Sequence, residues 1–292
     1  MKKLISIIVM AGFLMAIFPF AAMASAQEVV SLGADLTPQQ EREILEFFGV
    51  DEKDVKIIRV TNQEMRQYLS GLVPEKQLGT TAYSSAHITL VPRGKGISVK
   101  TYNIAWVTKE MYANVMVTAG IEDADVVVTA PFQVSGASAL TGITKAFEQA
   151  SGKKLDEDAK KAANEELVVT KDLGEKIGQD KAAEFMRDVK EEVVKKKLKD
   201  PNDIIEVIKR IAAEHGIELT DAQIQQIKEL MQKISRLDLN LNKINKQLEN
   251  INKNVDDIKK AVKDNQGILE KISDSLNNFI NWVKTKIAEI VG

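Results

Sequence analysis

The sequence predicts an α+β protein: a ferredoxin-like (split βαβ) domain, then an all-helical region ending in a long heptad-patterned helix or helical hairpin. Three observations predict it. Between residues 55 and 129 the apolar patterns run strand, helix, strand, strand, helix, strand. From residue 155 onward only helical spacing remains. From residue 234 the apolar residues recur alternately three and four apart, sustained over four heptads.

The folded part opens at Thr37-Pro38-Gln39-Gln40, where Thr37 caps a helix, Pro38 suits its first position and Gln40 completes a capping box. Ile44, Leu45, Phe47 and Phe48 supply the apolar face, and Gly49 ends it. Residues 55–60 read as a strand, and Thr61-Asn62 caps a helix through Leu69. Two β-rich runs, 85–91 and 97–107, are joined by Pro92-Arg93-Gly94-Lys95-Gly96, which predicts a hairpin. Thr108 starts a helix that Gly120 closes, 124–129 is a β-branched strand, and a further helix covers about 138–150. Expected next are helices at about 156–167, 180–199 and 202–214, punctuated by Gly174, Gly178, Asp200-Pro201 and Gly216.

Thr220-Asp221-Ala222-Gln223 forms another capping box and begins the most regular stretch. Ile234, Leu241, Leu248, Val255 and Val262 occupy a positions, with Leu237, Ile244, Ile251 and Ile258 at d. The register continues through Leu269, Ile272, Leu276, Phe279 and Val283, broken only by Asn265. Asn265 with Gly267 marks either the turn of a hairpin that packs on itself or a polar register position in one self-associating helix. Leu at a with Ile at d favours trimers or tetramers over dimers. The division read from these patterns is 1–26, 27–152, 153–216 and 217–292.

Residues 1–26 carry an export signal. Lys2 and Lys3 precede an apolar run from Leu4 to Phe20, and Ala24-Ser25-Ala26 is a small-residue cleavage pattern, making Gln27 the new amino terminus. An uncleaved anchor is the other reading, since the run approaches the roughly 20 residues that span a bilayer. Cleavage leaves no transmembrane segment and implies a secreted or extracytoplasmic protein, either released or retained at the cell envelope. The chain has no cysteine, which excludes disulfides, thiolate metal sites, a cysteine nucleophile and a lipidated amino terminus.

The formal net charge is −2, and losing the two signal lysines leaves 38 of the 40 basic side chains against 42 acidic ones. That balance gives no expectation of nucleic-acid binding. The basic and acidic residues of 151–200, Glu165-Glu166 and Asp156-Glu157-Asp158 included, read as a solvated mixed-charge surface.

Chemistry is sparse. Of the two histidines, His87 lies in a predicted strand and His215 at a helix end, neither beside a second ligand at metal spacing. No metal and no cofactor are expected. G-x-S-x-G is absent, so a serine nucleophile has no elbow. The loop Ser135-Gly136-Ala137-Ser138 follows a strand and opens a helix, where backbone N–H groups could cradle an anion or merely cap the helix. Trp106 and Tyr112, with Tyr102, stand around the end of one strand and the next helix; exposed together they would make a glycan or ligand platform, buried they are core. The candidate binding residues are therefore Trp106, Tyr112, Ser135, Gly136 and Ser138.

Several segments resemble the YpuA-like secreted bacterial proteins, a family built on a domain of unknown function (1002). They include Val60-Thr61-Asn62-Gln63-Glu64, Asn103-Ile104-Ala105-Trp106-Val107-Thr108 and Thr118-Ala119-Gly120-Ile121. Ala130-Pro131-Phe132-Gln133-Val134-Ser135-Gly136 and Ala163-Asn164-Glu165-Glu166-Leu167 continue it, so that most of 36–200 is covered and the heptad tail is not. The resemblance implies export from a Gram-positive-type bacterium and supplies no catalytic motif. The functional expectation is a non-enzymatic envelope interaction or structural protein, self-associating or meeting a partner through the seam. An envelope hydrolase with a cleft between the α+β domain and the helices is the alternative, and a small-anion or glycan binding module a third.

Overall fold

The computed structural model describes residues 27–237. The export segment 1–26 and the seam from 238 onward lie outside the described residues. Five strands, β1 (Glu28–Gly33), β2 (Lys56–Val60), β3 (Ser85–Leu90), β4 (Ile97–Thr101) and β5 (Ala124–Thr129), form one sheet in the order β2-β1-β3-β5-β4. The helices among the described residues are α1 (Pro38–Phe48), α2 (Asn62–Leu69), the single turn α3 (Glu75–Leu78), α4 (Lys109–Thr118), α5 (Ala137–Ser151), α6 (Glu157–Ile177), α7 (Gln179–Lys195), α8 (Pro201–Glu214) and α9 (Asp221–Ile234).

The mixed α+β class holds, but the ferredoxin-like topology does not. The expected hairpin between β3 and β4 is absent, because β5 lies between them, antiparallel to β3 and parallel to β4. The Pro92–Gly96 stretch does turn the chain (the Lys95 N–H donates to the Pro92 carbonyl at 3.1 Å), yet Gly96 then hands the chain to Asp123, whose carboxylate accepts the Gly96 N–H at 2.8 Å. A local turn signal fixes a reversal of direction, whereas sheet neighbours are chosen by burial. Ala124, Val126 and Val128 are all buried in the main core, and β5 takes the two-sided position that suits them. The second run also stops early, at Thr101, since Asn103 adopts a left-handed φ of 56°.

The strand the sequence reading lacked is β1. It pairs parallel with β2 and antiparallel with β3, and its alternate residues feed opposite faces. Val29 joins the main core; Val30 and Leu32 join a second cluster with Ile44 and Leu45 of α1. Helices therefore cover both faces, with α1 on one and α4 and α5 on the other, instead of one face only.

Helix ends follow the sequence signals closely. The capping boxes at Thr37–Gln40, Thr61–Glu64 and Thr220–Gln223 are all formed. Asp156, read as part of a solvated acidic run, instead accepts the Ala159 N–H at 2.8 Å and caps α6. That helix continues to Ile177, well past the expected stop. Gly174 does not break it: a Cβ there would lie 2.3 Å from Gln179 Oε1, so glycine lets the start of α7 approach.

The main core runs without interruption from the sheet through α4 and α5 into α6, α7, α8 and α9, ending at Ile234. Tyr112, Phe185, Met116 and Leu167 are among its fully buried side chains, each worth about 1.5–3 kcal/mol of transfer free energy. Ile234, the first a position of the seam, is thus a bundle core residue. Ser235 caps α9 there, and the Leu237 N–H returns to the Ile234 carbonyl at 3.2 Å, so the regular helix does not pass straight into the seam.

Stability should fall on acidification. The side chains of Lys145, Lys160 and Lys196 hydrogen-bond Glu64, Glu157 and Glu192, and all three carboxyls titrate below the usual carboxylate range although burial opposes the shift. A carboxyl depressed in the folded state binds more protons unfolded, so its contribution is present above the ordinary value of 4.5 and is lost as pH drops through the folded values. Urea midpoints measured from pH 6 to pH 3 should decline below about 4.5; a flat profile would contradict these pairings.

Candidate functional site

Because β1 and β5 are both antiparallel to β3, the four strands β1, β2, β4 and β5 run the same way. Their carboxyl ends, with the start of β3, form one edge. In open α/β sheets ligands bind in the crevice outside such an edge. Here that crevice is a cavity of about 320 Å³. Met65 and Leu69 of α2, Val73, and Leu78 of α3 give it aliphatic walls; Trp106, Ser135 and Ala137 come from the connections leaving β4 and β5; Lys171 and Glu175 come from α6.

The two connections are laced to each other. The Ala105 N–H donates to the Val134 carbonyl at 2.9 Å, the Val134 N–H to Asn103 at 3.0 Å, and the Val107 N–H to Ser135 at 3.3 Å. Beneath them the Tyr112 hydroxyl donates to the Gly136 carbonyl at 2.6 Å. Burial pushes the Tyr112 phenol well above its ordinary value, so it stays a neutral donor. Gly136 sits at φ 90°, and a Cβ on it would lie 2.5 Å from the Tyr112 hydroxyl and 2.6 Å from Ile104. This strut fixes Trp106 and Ser135 side by side at the cavity.

On the opposite wall the Lys171 ammonium lies 5.0 Å from the Trp106 ring centroid, a cation–π distance. It pairs with Glu175 at 2.7 Å and Asp172 at 3.1 Å. Burial works against the charge on Lys171, but the hydrogen bonds it donates to Glu175 and Asp172 outweigh it and hold the amine above its ordinary value. The cavity thus has an aliphatic wall, one aromatic plane and one pair of opposite charges. Its roof is latched by Arg66, which donates to Asn62 Oδ1 at 2.7 Å and the Gly79 carbonyl at 2.8 Å and pairs with Glu75.

The structure brings the five candidate binding residues together but gives them different parts. Trp106 and Ser135 line the cavity. Tyr112 and Gly136 are the buried strut behind it. Ser138 is buried, its hydroxyl 2.5 Å from that of Ser84. The Ser135 hydroxyl accepts the Ala137 N–H at 3.4 Å and the Gly136 carbonyl accepts the Ala139 N–H at 3.0 Å, so local groups already engage two amides of the α5 start. Tyr102 is half exposed and stacks edge-on with Phe47 at 5.0 Å, away from Trp106's cavity lining.

The histidines stand elsewhere. His87 Nε2 is 3.2 Å from Glu28 Oε2, with the ring against Phe48. His215 Nε2 meets Asp188 Oδ2 at 2.8 Å. Neither ring lines the cavity. Among the described residues no three His, Cys, Asp or Glu side chains are grouped to hold a metal, and no helix is long and apolar enough to cross a membrane.

The reading of Glu165-Glu166 as a solvated pair is half corrected. Glu165 is a surface residue paired with Lys233 at 2.7 Å. Glu166 is fully buried and 2.8 Å from the equally buried Lys190. The Lys190 ammonium also donates to the Asn114 carbonyl at 2.7 Å and to Thr118 Oγ1 at 2.9 Å. Burial lowers the Lys190 value and Glu166 opposes that shift. Three acceptors for three N–H donors describe a held ammonium, and the cluster ties α4, α6 and α7 together.

No solved structure matches the chain. It is 39% identical over 234 residues to the uncharacterized protein YpuA of Bacillus subtilis (strain 168), covering 79% of this chain and 80% of that protein. Residues 32–251 match the family described as protein of unknown function (DUF1002), and the chain belongs to that family.

Proposed function

We propose that the chain is an exported, non-enzymatic binding protein of the cell envelope, and that the cavity beside Trp106 takes a small amphipathic group such as the end of a short peptide. The observation that carries the reading is the lining: aliphatic side chains from α2 and α3, an indole plane, and Lys171 with Glu175 at one side. About 320 Å³ lies at the small end of the roughly 300–1,000 Å³ usual for ligand pockets. That suits a terminal group more than a chain. Opposite charges next to apolar walls suit a ligand that is itself zwitterionic, its carboxylate toward Lys171 and its ammonium toward Glu175.

The export segment 1–26, with its positive start, apolar run and Ala24-Ser25-Ala26, supports an extracytoplasmic site of action. The engaged state of the polar groups supports binding without catalysis. Ser135 accepts the Ala137 N–H, Ser138 is tied to Ser84, and Glu175, the one carboxylate lining the cavity, is paired with Lys171. A hydrolase would need a nucleophile with a base in reach. The heptad pattern read over Ile234–Val262 supports self-association or a partner protein met through that seam.

Co-sedimentation with purified cell-wall sacculi tests the proposal. The secreted protein should pellet with them, and Ala137→Leu, which fills the cavity, should stay in the supernatant while keeping its melting temperature. Retention of neither protein by cell-wall fractions or by envelope proteins in pull-downs would reject it.

A further inference from the structure

We infer that residues 238–251 of this same chain dock back into the groove between α2 and α6, with Leu241 and Ile244 seated against Tyr68 and Leu72. The groove has a volume of about 520 Å³, and its walls include Tyr68, Leu72, Ala162, Glu165, Lys233 and Leu237. Leu72 is 36% exposed, a large apolar side chain on a protein surface. Tyr68 is held in place by its hydroxyl, 3.2 Å from Glu157 Oε2, and by the Lys160 ammonium 5.9 Å from its ring centroid.

Three observations point to this occupant. The chain leaves α9 through a turn at Ser235–Leu237, closed by Arg236 N–H to Lys233 (3.1 Å) and Leu237 N–H to Ile234 (3.2 Å). Arg236 and Leu237, the last of the described residues, are themselves part of the groove wall, so the chain leaves the described residues at the groove. Second, the family match runs on past Leu237 to residue 251, so it includes this segment. Third, the segment's apolar residues Leu241, Ile244, Leu248 and Ile251 recur three and four apart, a stripe that needs cover. A second copy presenting the same segment would compete at its bulk concentration. A segment tethered four residues away competes at an effective concentration in the millimolar range.

The chain contains no cysteine, so engineered pairs report cleanly. In the full mature chain, Leu72→Cys/Leu241→Cys and Leu72→Cys/Ile244→Cys are oxidised at micromolar concentration, with Lys95→Cys/Leu241→Cys as the distant control. At least one of the first two pairs should close an intramolecular disulfide, read as a monomer lighter by two hydrogens, and the control should not. Disulfide-linked dimers would mean that another copy fills the groove, and no bond in either pair would mean that the segment does not reach it; both outcomes overturn the inference. As a second readout, Leu241→Asp/Ile244→Asp should speed amide exchange in 62–72 several-fold without touching a described residue. Unchanged exchange there would also overturn it.

Discussion

Replacing Lys190 with Met should destabilise the protein by about 3–5 kcal/mol, the range for stripping one partner from a buried ion pair. At about 2–4 °C per kcal/mol for a chain of this size, the melting temperature should drop by roughly 10 °C. Glu166 would be left fully buried without its cation, and the Asn114 carbonyl would lose its ammonium donor. Adding Glu166→Leu should then recover most of the loss, because an apolar pair of similar volume has no desolvation penalty to offset. Thermal and urea unfolding of the two variants decides it. A single variant costing under about 1 kcal/mol, or a double variant no better than the single, would contradict a paired and satisfied Lys190.

Gly136→Ala should cost about 2–6 kcal/mol, combining a left-handed φ that alanine adopts at about 1–3 kcal/mol with overpacking of similar size. The clash falls on the Tyr112 hydroxyl and Ile104, the strut under the cavity. The loss of stability should therefore come with a shift in the fluorescence of Trp106, which the same two connections hold. Tyr112→Phe, which removes only the hydroxyl donated to Gly136, should cost less, about 0.5–1.5 kcal/mol for one lost hydrogen bond, because the Ala139 N–H still serves that carbonyl. If Gly136→Ala is as stable as the parent protein, the close approach described here is wrong.

The elements legible in the sequence were those announced by local chemistry. Thr37, Thr61, Thr108 and Thr220 all cap the helices they were expected to cap. Sheet order was not legible, since β5 slipping between β3 and β4 is a long-range choice that the turn at Pro92–Gly96 cannot report. Strand β1 was lost because Glu28–Gly33 directly follows the export segment and is too short for its alternation to stand out. For the site, Trp106 and Ser135 were legible as chemistry at strand ends, while Met65, Leu69, Val73 and Leu78 look like any helix core until the fold leaves them facing a void. Lys190 did carry a signal. It sits four and three residues from Met186 and Val193 on the buried stripe of α7, where a lysine demands a partner. Glu166 likewise lies four residues from Ala162 and Thr170, both buried on α6.

The central claim is that the cavity beside Trp106 is a binding site. Trp282→Phe leaves Trp106 as the single indole of the two in the chain, and this variant can be titrated with muropeptides released from cell wall by muramidase while its emission is followed. The account predicts a saturable change that disappears when Ala137→Leu is added. A signal that never saturates, or one that survives filling of the cavity, would contradict it.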